Sequence, residues 1–218
     1  MTAKLAAARQ QMIDQQVRTW EVLDPRVLEV LAAIPREHFV PEAYAGVAFA
    51  DTEIPIGHGQ FMLSPGLEGR ILQALAPERG ERVLEIGTGT GFFCACLEQL
   101  SGAVDSVEIH ADLAAGAARA LETLGVARVR IANIDAMNSE FDAHYQAIAV
   151  TGSLPVYDRC FERALAVGGR LFVVVGTAPV MEARLVTRTA VDSWLTETLF
   201  ETCVPPLRHA KAAPAFDF

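Results

Sequence analysis

Between Arg82 and Phe92 the chain reads Arg-Val-Leu-Glu-Ile-Gly-Thr-Gly-Thr-Gly-Phe. Three glycines at alternate positions, Gly87, Gly89 and Gly91, follow the apolar residues Val83, Leu84 and Ile86, and Cys94, Ala95, Leu97 and Leu100 come next at roughly helical spacing. That order predicts strand, loop and helix. Such a loop lets a ligand rest on bare main chain, and the helix behind it aims unpaired N–H groups at the ligand. The dinucleotide pattern G-x-G-x-x-G would place a glycine where Phe92 stands. Two acids accompany the loop. Glu85 lies inside the strand, and Glu108 ends the next predicted strand, Ala103 to Ile109, about 20 positions beyond the glycines. In a parallel sheet Glu108 reaches the carboxyl edge beside the loop, where it can accept hydrogen bonds from both hydroxyls of a ribose.

A second polar stretch is Asp51-Thr52-Glu53-Ile54-Pro55-Ile56-Gly57-His58-Gly59-Gln60. It is rich in turn-forming residues and short, and a loop over the carboxyl edge is the natural place for substrate contacts. His58 is the only histidine in such a lid position; it could serve as a base or as a hydrogen-bonding stabiliser of the loop. Ser64 precedes Pro65 and reads as a helix cap, with a catalytic hydroxyl as the alternative. Asp135 follows a predicted strand at Val129 and Ile131, facing a ligand or holding its own turn. Thr151 closes another predicted strand, Tyr145 to Val150, at the same edge.

These groups need a frame. Leu5 to Trp20 suits one amphipathic helix, with Leu5, Met12, Ile13, Val17 and Trp20 near one face. Asp24-Pro25 starts a second helix, Ser64-Pro65 a third, and Ala111 to Leu124 forms another that Gly125 ends. His38, beside Phe39 in a connector between Pro35 and Pro41, reads as packing. Farther along, Asp158 to Leu165 reads as a helix, Gly168-Gly169 as a turn, and Leu171 to Val175 as an apolar strand. Glu182 to Thr189 and Trp194 to Val204 read as two strands around a turn, and Phe216-Asp217-Phe218 as a tail that packs on the body. The expected fold is α/β, a Rossmann-like, doubly wound, mostly parallel sheet with one antiparallel strand and an N-terminal helical cap. Residues 1–78 would form the cap and substrate loop, residues 79–218 the core, and the two would work as a single domain.

The chain has 218 residues, 51% of them hydrophobic, which suits one such domain. Its net charge is −9, and Lys occurs only at Lys4 and Lys211. Without a basic stripe it is a poor partner for nucleic acid. No apolar run reaches the ~20 residues of a membrane span, so no membrane partner is expected. The four cysteines, Cys94, Cys96, Cys160 and Cys203, match no zinc spacing and read as small buried hydrophobes, with no metal and a reducing cytoplasm as the setting.

The glycine spacing with Glu85 before it resembles the first motif of S-adenosylmethionine-dependent methyltransferases. Together with Ile54-Pro55-Ile56-Gly57-His58-Gly59-Gln60 it resembles, more narrowly, the protein-L-isoaspartate O-methyltransferase family. Gln15-Gln16-Val17-Arg18, Asp24-Pro25-Arg26-Val27-Leu28, Phe39-Val40-Pro41, Ala147-Ile148-Ala149-Val150-Thr151-Gly152 and Val167-Gly168-Gly169-Arg170-Leu171 extend the likeness over about residues 10 to 176. The resemblance implies S-adenosyl-L-methionine as cofactor, held by Gln60, Glu85, Gly87, Thr88, Gly89, Gly91, Glu108, Ile109 and Asp135. It implies a protein or peptide carboxylate as acceptor, met by Asp51, Phe61, Leu63 and Thr151, with Ser64 and His58 as candidate catalytic residues. Two departures stand out. The family follows its loop glutamine with Thr-Ile-Ser-Gln-Pro, whose serine touches the substrate carboxyl group, whereas this chain has Phe61-Met62-Leu63-Ser64-Pro65. The family's Asp between glycines is here Asp135 between Ile134 and Ala136. A more apolar acceptor pocket raises two alternatives, a changed acceptor or a cofactor-binding relative without catalysis.

Overall fold

The structure is a computed structural model that describes residues 3–142 and 144–212; the expectation for Phe216-Asp217-Phe218 lies outside them. Helices α1 (Ala3–Met12), α2 (Pro25–Ala33) and α3 (Pro65–Leu75) precede the main sheet, with a hairpin of β1 (Ile54–Gly57) and β2 (Gln60–Met62) between α2 and α3. There follow β3 (Arg82–Ile86), α4 (Phe92–Ser101), β4 (Ala103–Glu108), α5 (Ala111–Thr123), β5 (Val129–Asn133), β6 (Tyr145–Leu154), β7 (Leu165–Thr177), β8 (Val180–Ala190) and β9 (Ser193–Glu201). The seven-stranded sheet has the order β5-β4-β3-β6-β7-β8-β9. Strands β3 to β7 are parallel to one another, and β8 runs antiparallel to both β7 and β9. The closing pair thus supplies the one reversed strand that was expected.

The central strands are apolar on both faces, as strands inside a parallel sheet must be. Val83 of β3, Ala147 and Ala149 of β6, and Phe172 and Val174 of β7 face one core. Leu84, Ile86, Ile148, Val150, Leu171 and Val173 face the other. Helices α1 to α5 pack their core residues into the first cluster, which runs without a break from Met12 to the sheet. The second face is covered instead by connections: Phe141, Tyr157, Phe161 and Leu207 lie against it. The helix expected over Asp158 to Leu165 is a single 3₁₀ turn, Glu162–Ala164, and β7 already begins at Leu165. Gly168-Gly169 is no turn; it sits inside β7, where pairing with β6 slips between Tyr145 and Ala147.

The expected unbroken helix to Trp20 also changes form. After Met12 it widens into a π turn, Ile13–Val17, then tightens into a 3₁₀ turn, Arg18–Trp20. The wide turn lets Met12, Ile13 and Val17 all face inward, while Leu5 stays exposed. Asp24 accepts the Arg26 N–H at 2.9 Å with Pro25 at the first helical position, as its sequence signature predicts.

Candidate active site

Strands β3, β4 and β6 end beside one another, and their carboxyl ends open on a cleft, the usual place for a ligand in such a sheet. The glycine loop forms its floor. Gly87, Gly89 and Gly91 have φ of +98°, +53° and +91°, a region costly for residues with a Cβ. At Gly87 a Cβ would stand 2.4 Å from Thr151 Oγ1, so only glycine lets β6 approach the loop this closely. Gly91 N-caps α4, and its missing Cβ makes room for Ala117 of α5, 3.1 Å away; it does not reach the cleft wall.

Glu108 ends β4 on that wall. Its Oε2 accepts the Gly89 N–H at 2.9 Å and its Oε1 the His110 N–H at 3.0 Å, which leaves one lone pair on each oxygen directed outward. Ile109 is beside it, and Asn133 Nδ2 donates to the Glu108 and Ile109 carbonyls at 2.8 and 3.1 Å, fixing the turn. Apolar side chains of Ile56, Val107, Leu113 and Met137 complete the wall. The Nε2 of His110, on the same wall, is buried and has no partner among the described residues. An acceptor carboxylate, apolar side chains and an orphaned polar atom around the bare main chain of Gly87 and Gly89 fit a nucleoside.

Glu85 requires a correction. It shares a face of the sheet with Glu108, being paired with Ser106, two residues before Glu108, but it lies deeper. It is fully buried beneath the loop, off the cleft wall, and its Oε2 accepts from the Ser106 hydroxyl, which also bonds Thr88 Oγ1 at 2.6 Å. Burial pushes its carboxyl up to about 8, the Ser106 hydroxyl offsetting only part of that. Glu85 therefore lies beneath the loop and off the cleft wall, with its carboxyl held above the usual range by burial. Thr88 is likewise buried by this network.

Asp135 lines the cleft and is also heavily used. It accepts from the Met137 N–H at 3.0 Å, Asn138 Nδ2 at 2.5 Å and His209 Nδ1 at 2.6 Å. Burial works against its ionised form, but His209, Asn138 and the Met137 N–H hold its carboxyl below the usual range. Asp135 thus holds its own turn while lying on the cleft wall.

The β1–β2 hairpin hangs over the cleft, with Gln60, Phe61 and Leu63 on the wall. Thr151 is there too, its Oγ1 2.9 Å from the Ile86 and Gly87 carbonyls. Three predicted residues are elsewhere. Asp51 is exposed in a bend before β1. His58 is at the hairpin tip, stacked on the His110 ring at 4.0 Å with its Nε2 3.0 Å from Asp112, so it clasps the hairpin to α5 and is not on the cleft wall. Ser64 is at the cap position of α3, but its side chain makes no capping bond and does not reach the wall.

The sequence left several wall residues unmarked. Pro205, Leu207 and Arg208 reach the cleft because the segment after β9 runs parallel beside the end of β6, where the Ser153 N–H donates to the Pro205 carbonyl and the Leu207 N–H to the Ser153 carbonyl, both at 2.9 Å. Only the pair Pro205-Pro206 hinted at an ordered strap.

Residues 7–209 match the sequence profile of the protein-L-isoaspartate(D-aspartate) O-methyltransferase family. Protein-L-isoaspartate O-methyltransferase 1 of Rhodopseudomonas palustris is 40% identical, over 93% of this chain and 83% of its own. The Koribacter versatilis protein-L-isoaspartate O-methyltransferase is 36% identical, over 96% and 95%. Among solved structures, the Plasmodium falciparum protein described as a protein-L-isoaspartate O-methyltransferase in complex with S-adenosyl-L-homocysteine superposes with a TM-score of 0.79 at 17% identity, covering 92% of this chain and 98% of that one. The profile match and these relatives place this chain in the protein-L-isoaspartate O-methyltransferase family.

Proposed function

We propose that this protein is an S-adenosylmethionine-dependent O-methyltransferase that esterifies the carboxylate of L-isoaspartyl or D-aspartyl residues in proteins and peptides. The observation that carries the proposal is the convergence of Glu108, the glycine loop and the hairpin on one cleft. When bound, S-adenosylmethionine supplies a sulfonium-activated methyl group. Glu108 would hold the ribose, Ile109 and Asp135 would flank the base, and Gly87 and Gly89 would carry the chain of atoms leading to sulfur. Gln60, Phe61 and Leu63 would close over the reacting atoms and exclude water.

An acceptor carboxylate is already ionised at neutral pH, so it needs orientation and desolvation but no general base. The wall agrees with this requirement: His58 is engaged with Asp112 outside it, and Ser64 lies off it. Residues 1–78 would act as a lid continuous with the core of residues 79–218. No described helix is long and apolar enough to cross a membrane, and the cysteines are unpaired; both fit an enzyme that meets protein substrates in a reducing cytoplasm.

A second acceptor class is favoured by Phe61 and Leu63, which stand where the family has polar residues. Methyl-ester formation on an isoaspartyl peptide and on its aspartyl isomer tests the choice. Turnover of the isoaspartyl form alone is expected. Tight binding of S-adenosylhomocysteine without methylation of either peptide would exclude isoaspartyl repair and favour the changed acceptor.

A further inference from the structure

Three basic residues stand close together on the strap that follows β9: Arg208, His209 and Lys211. Two of them meet acids on the body of the protein. His209 Nδ1 is 2.6 Å from Asp135 Oδ2, and Lys211 Nζ is 2.6 Å from Asp158 Oδ2. Arg208 meets none: its exposed side chain makes no hydrogen bond, ion pair or ring contact among the described residues. Yet it lies on the cleft wall, and its backbone is fixed there. Ser153 Oγ donates to the Val204 carbonyl at 2.9 Å, beside the two main-chain bonds between Ser153 and the strap. Gly152 has no Cβ, and one there would stand 2.7 Å from Leu207 Cδ2, so the strap lies flush on β6. The Leu207 carbonyl then accepts the Ala210 N–H at 3.2 Å, and His209 takes a φ of +63°, closing a tight turn with Arg208 at its first central position.

Little else on the wall suits an anion. Glu108 and Asp135 are acids, Phe61 and Leu63 are apolar, and Gln60 offers only a neutral amide. Thr151 Oγ1 spends its one proton on the Ile86 or Gly87 carbonyl. A carboxylate that enters between such groups loses water, and the loss is costly unless a charged partner replaces it. A guanidinium is such a partner, with a permanent charge and a planar fork of donors that matches a carboxylate.

We propose that Arg208 receives the carboxylate of the methyl acceptor. One oxygen rests on the guanidinium and the other is left for the methyl group. The new bond joins that oxygen to the methyl carbon as the methyl–sulfur bond breaks, its electron pair staying on sulfur, and no proton has to move. The proposal rests on the isoaspartyl reading made above. It makes the strap, instead of the hairpin with its Phe61 and Leu63, the element that selects an acidic group.

An isoaspartyl peptide with blocked ends and no other charge isolates the contact, because its one carboxylate is the acceptor. Arg208→Gln should lower kcat/KM on this peptide by about 10- to 150-fold, the range for one charge-assisted hydrogen bond, and the loss should fall on KM. It should persist at high salt, where attraction beyond close contact is screened. Arg208→Lys should recover part of it, since it keeps the charge without the planar fork. By calorimetry both variants should keep the wild-type affinity for S-adenosylhomocysteine and for 5′-methylthioadenosine, which lacks the amino-acid end. Unchanged kcat/KM in Arg208→Gln overturns the proposal, as does a loss that high salt abolishes, because the arginine then only steers. Weakened S-adenosylhomocysteine with unchanged 5′-methylthioadenosine also overturns it, by assigning the guanidinium to the cofactor's own carboxylate. Wild-type protein that binds S-adenosylhomocysteine but methylates no isoaspartyl peptide overturns the isoaspartyl reading itself, and with it the acceptor assigned to Arg208.

Discussion

Each oxygen of Glu108 already accepts a main-chain N–H, from Gly89 and from His110, so the carboxylate is aimed before a ligand arrives and loses little freedom on binding. Glu108→Gln keeps the shape but removes the charge and half of the acceptor capacity. It should weaken S-adenosylhomocysteine by about 10- to 150-fold, equivalent to about 1.5–3 kcal/mol, as read by calorimetry. Glu85 behaves oppositely. Its carboxyl, ordinarily at 4.5, is raised to about 8 by burial, so between those two values the folded protein keeps a proton that the unfolded chain has released. The stability due to that proton is complete below the lower value and is lost as pH rises through the upper one, at up to about 1.4 kcal/mol per pH unit. Glu85→Gln should therefore flatten this part of the stability profile and melt higher than wild type at pH 8. Thermal unfolding across that pH range would show it; a variant that melts lower at pH 8 would mean that Glu85 is held ionised. Both acids were legible as residues of interest, but their different depths were not. A period of two places Glu85, Ser106 and Glu108 on one face, and only the position along the strand, interior or end, separates a buried support from a ligand contact.

At the scale of elements, strands β3 to β6 and helices α3 to α5 were legible because apolar periodicity and caps agree in them. Asp158 to Leu165 misled because its apolar residues, Phe161, Ala164 and Leu165, are buried on the second face of the sheet by a loop with one 3₁₀ turn, and burial pattern alone does not distinguish that from a helix. The loop over the cleft is more ordered than its turn-rich composition suggested. It is a hairpin that pairs Ile54 with Met62, Pro55 with Phe61 and Gly57 with Gln60. That pairing gives Phe61 and Leu63 defined places, Phe61 partly exposed on the rim and Leu63 buried with its carbonyl held by Arg36. Phe61→Thr combined with Leu63→Ser would put two hydroxyls where an isoaspartyl carboxylate would lie. The pair should raise kcat/KM on isoaspartyl peptides by about 10-fold or more through one charge-assisted bond, at a stability cost of about 1–3 kcal/mol from the lost apolar contact at Leu63. Steady-state kinetics and melting together would separate the effects. Unchanged kcat/KM with the expected loss of stability would mean that the native acceptor already makes its contacts elsewhere.

For the molecule as a whole, charge governs how an acceptor arrives. The protein has 18 Lys and Arg against 27 Asp and Glu, a net charge of −9, and two carboxylates, Glu108 and Asp135, lie on the cleft wall. An acidic peptide is therefore repelled at long range, and the repulsion is screened within about 10 Å at 0.1 M salt. Among the described residues, Arg208 is the arginine on that wall; it is exposed on the strap that runs beside the end of β6, so it supplies local attraction within an unfavourable field. The kcat/KM for a peptide of net negative charge should thus rise as ionic strength goes from low to physiological, while that for a basic peptide with the same isoaspartyl centre should fall. Arg208→Glu should lower kcat/KM for the acidic peptide and steepen its rise with salt, leaving the affinity for uncharged 5′-methylthioadenosine unaltered. If instead both peptides respond to salt alike, the acceptor is met by short-range contacts of the hairpin and strap, and the field of the whole protein has no part in selecting it.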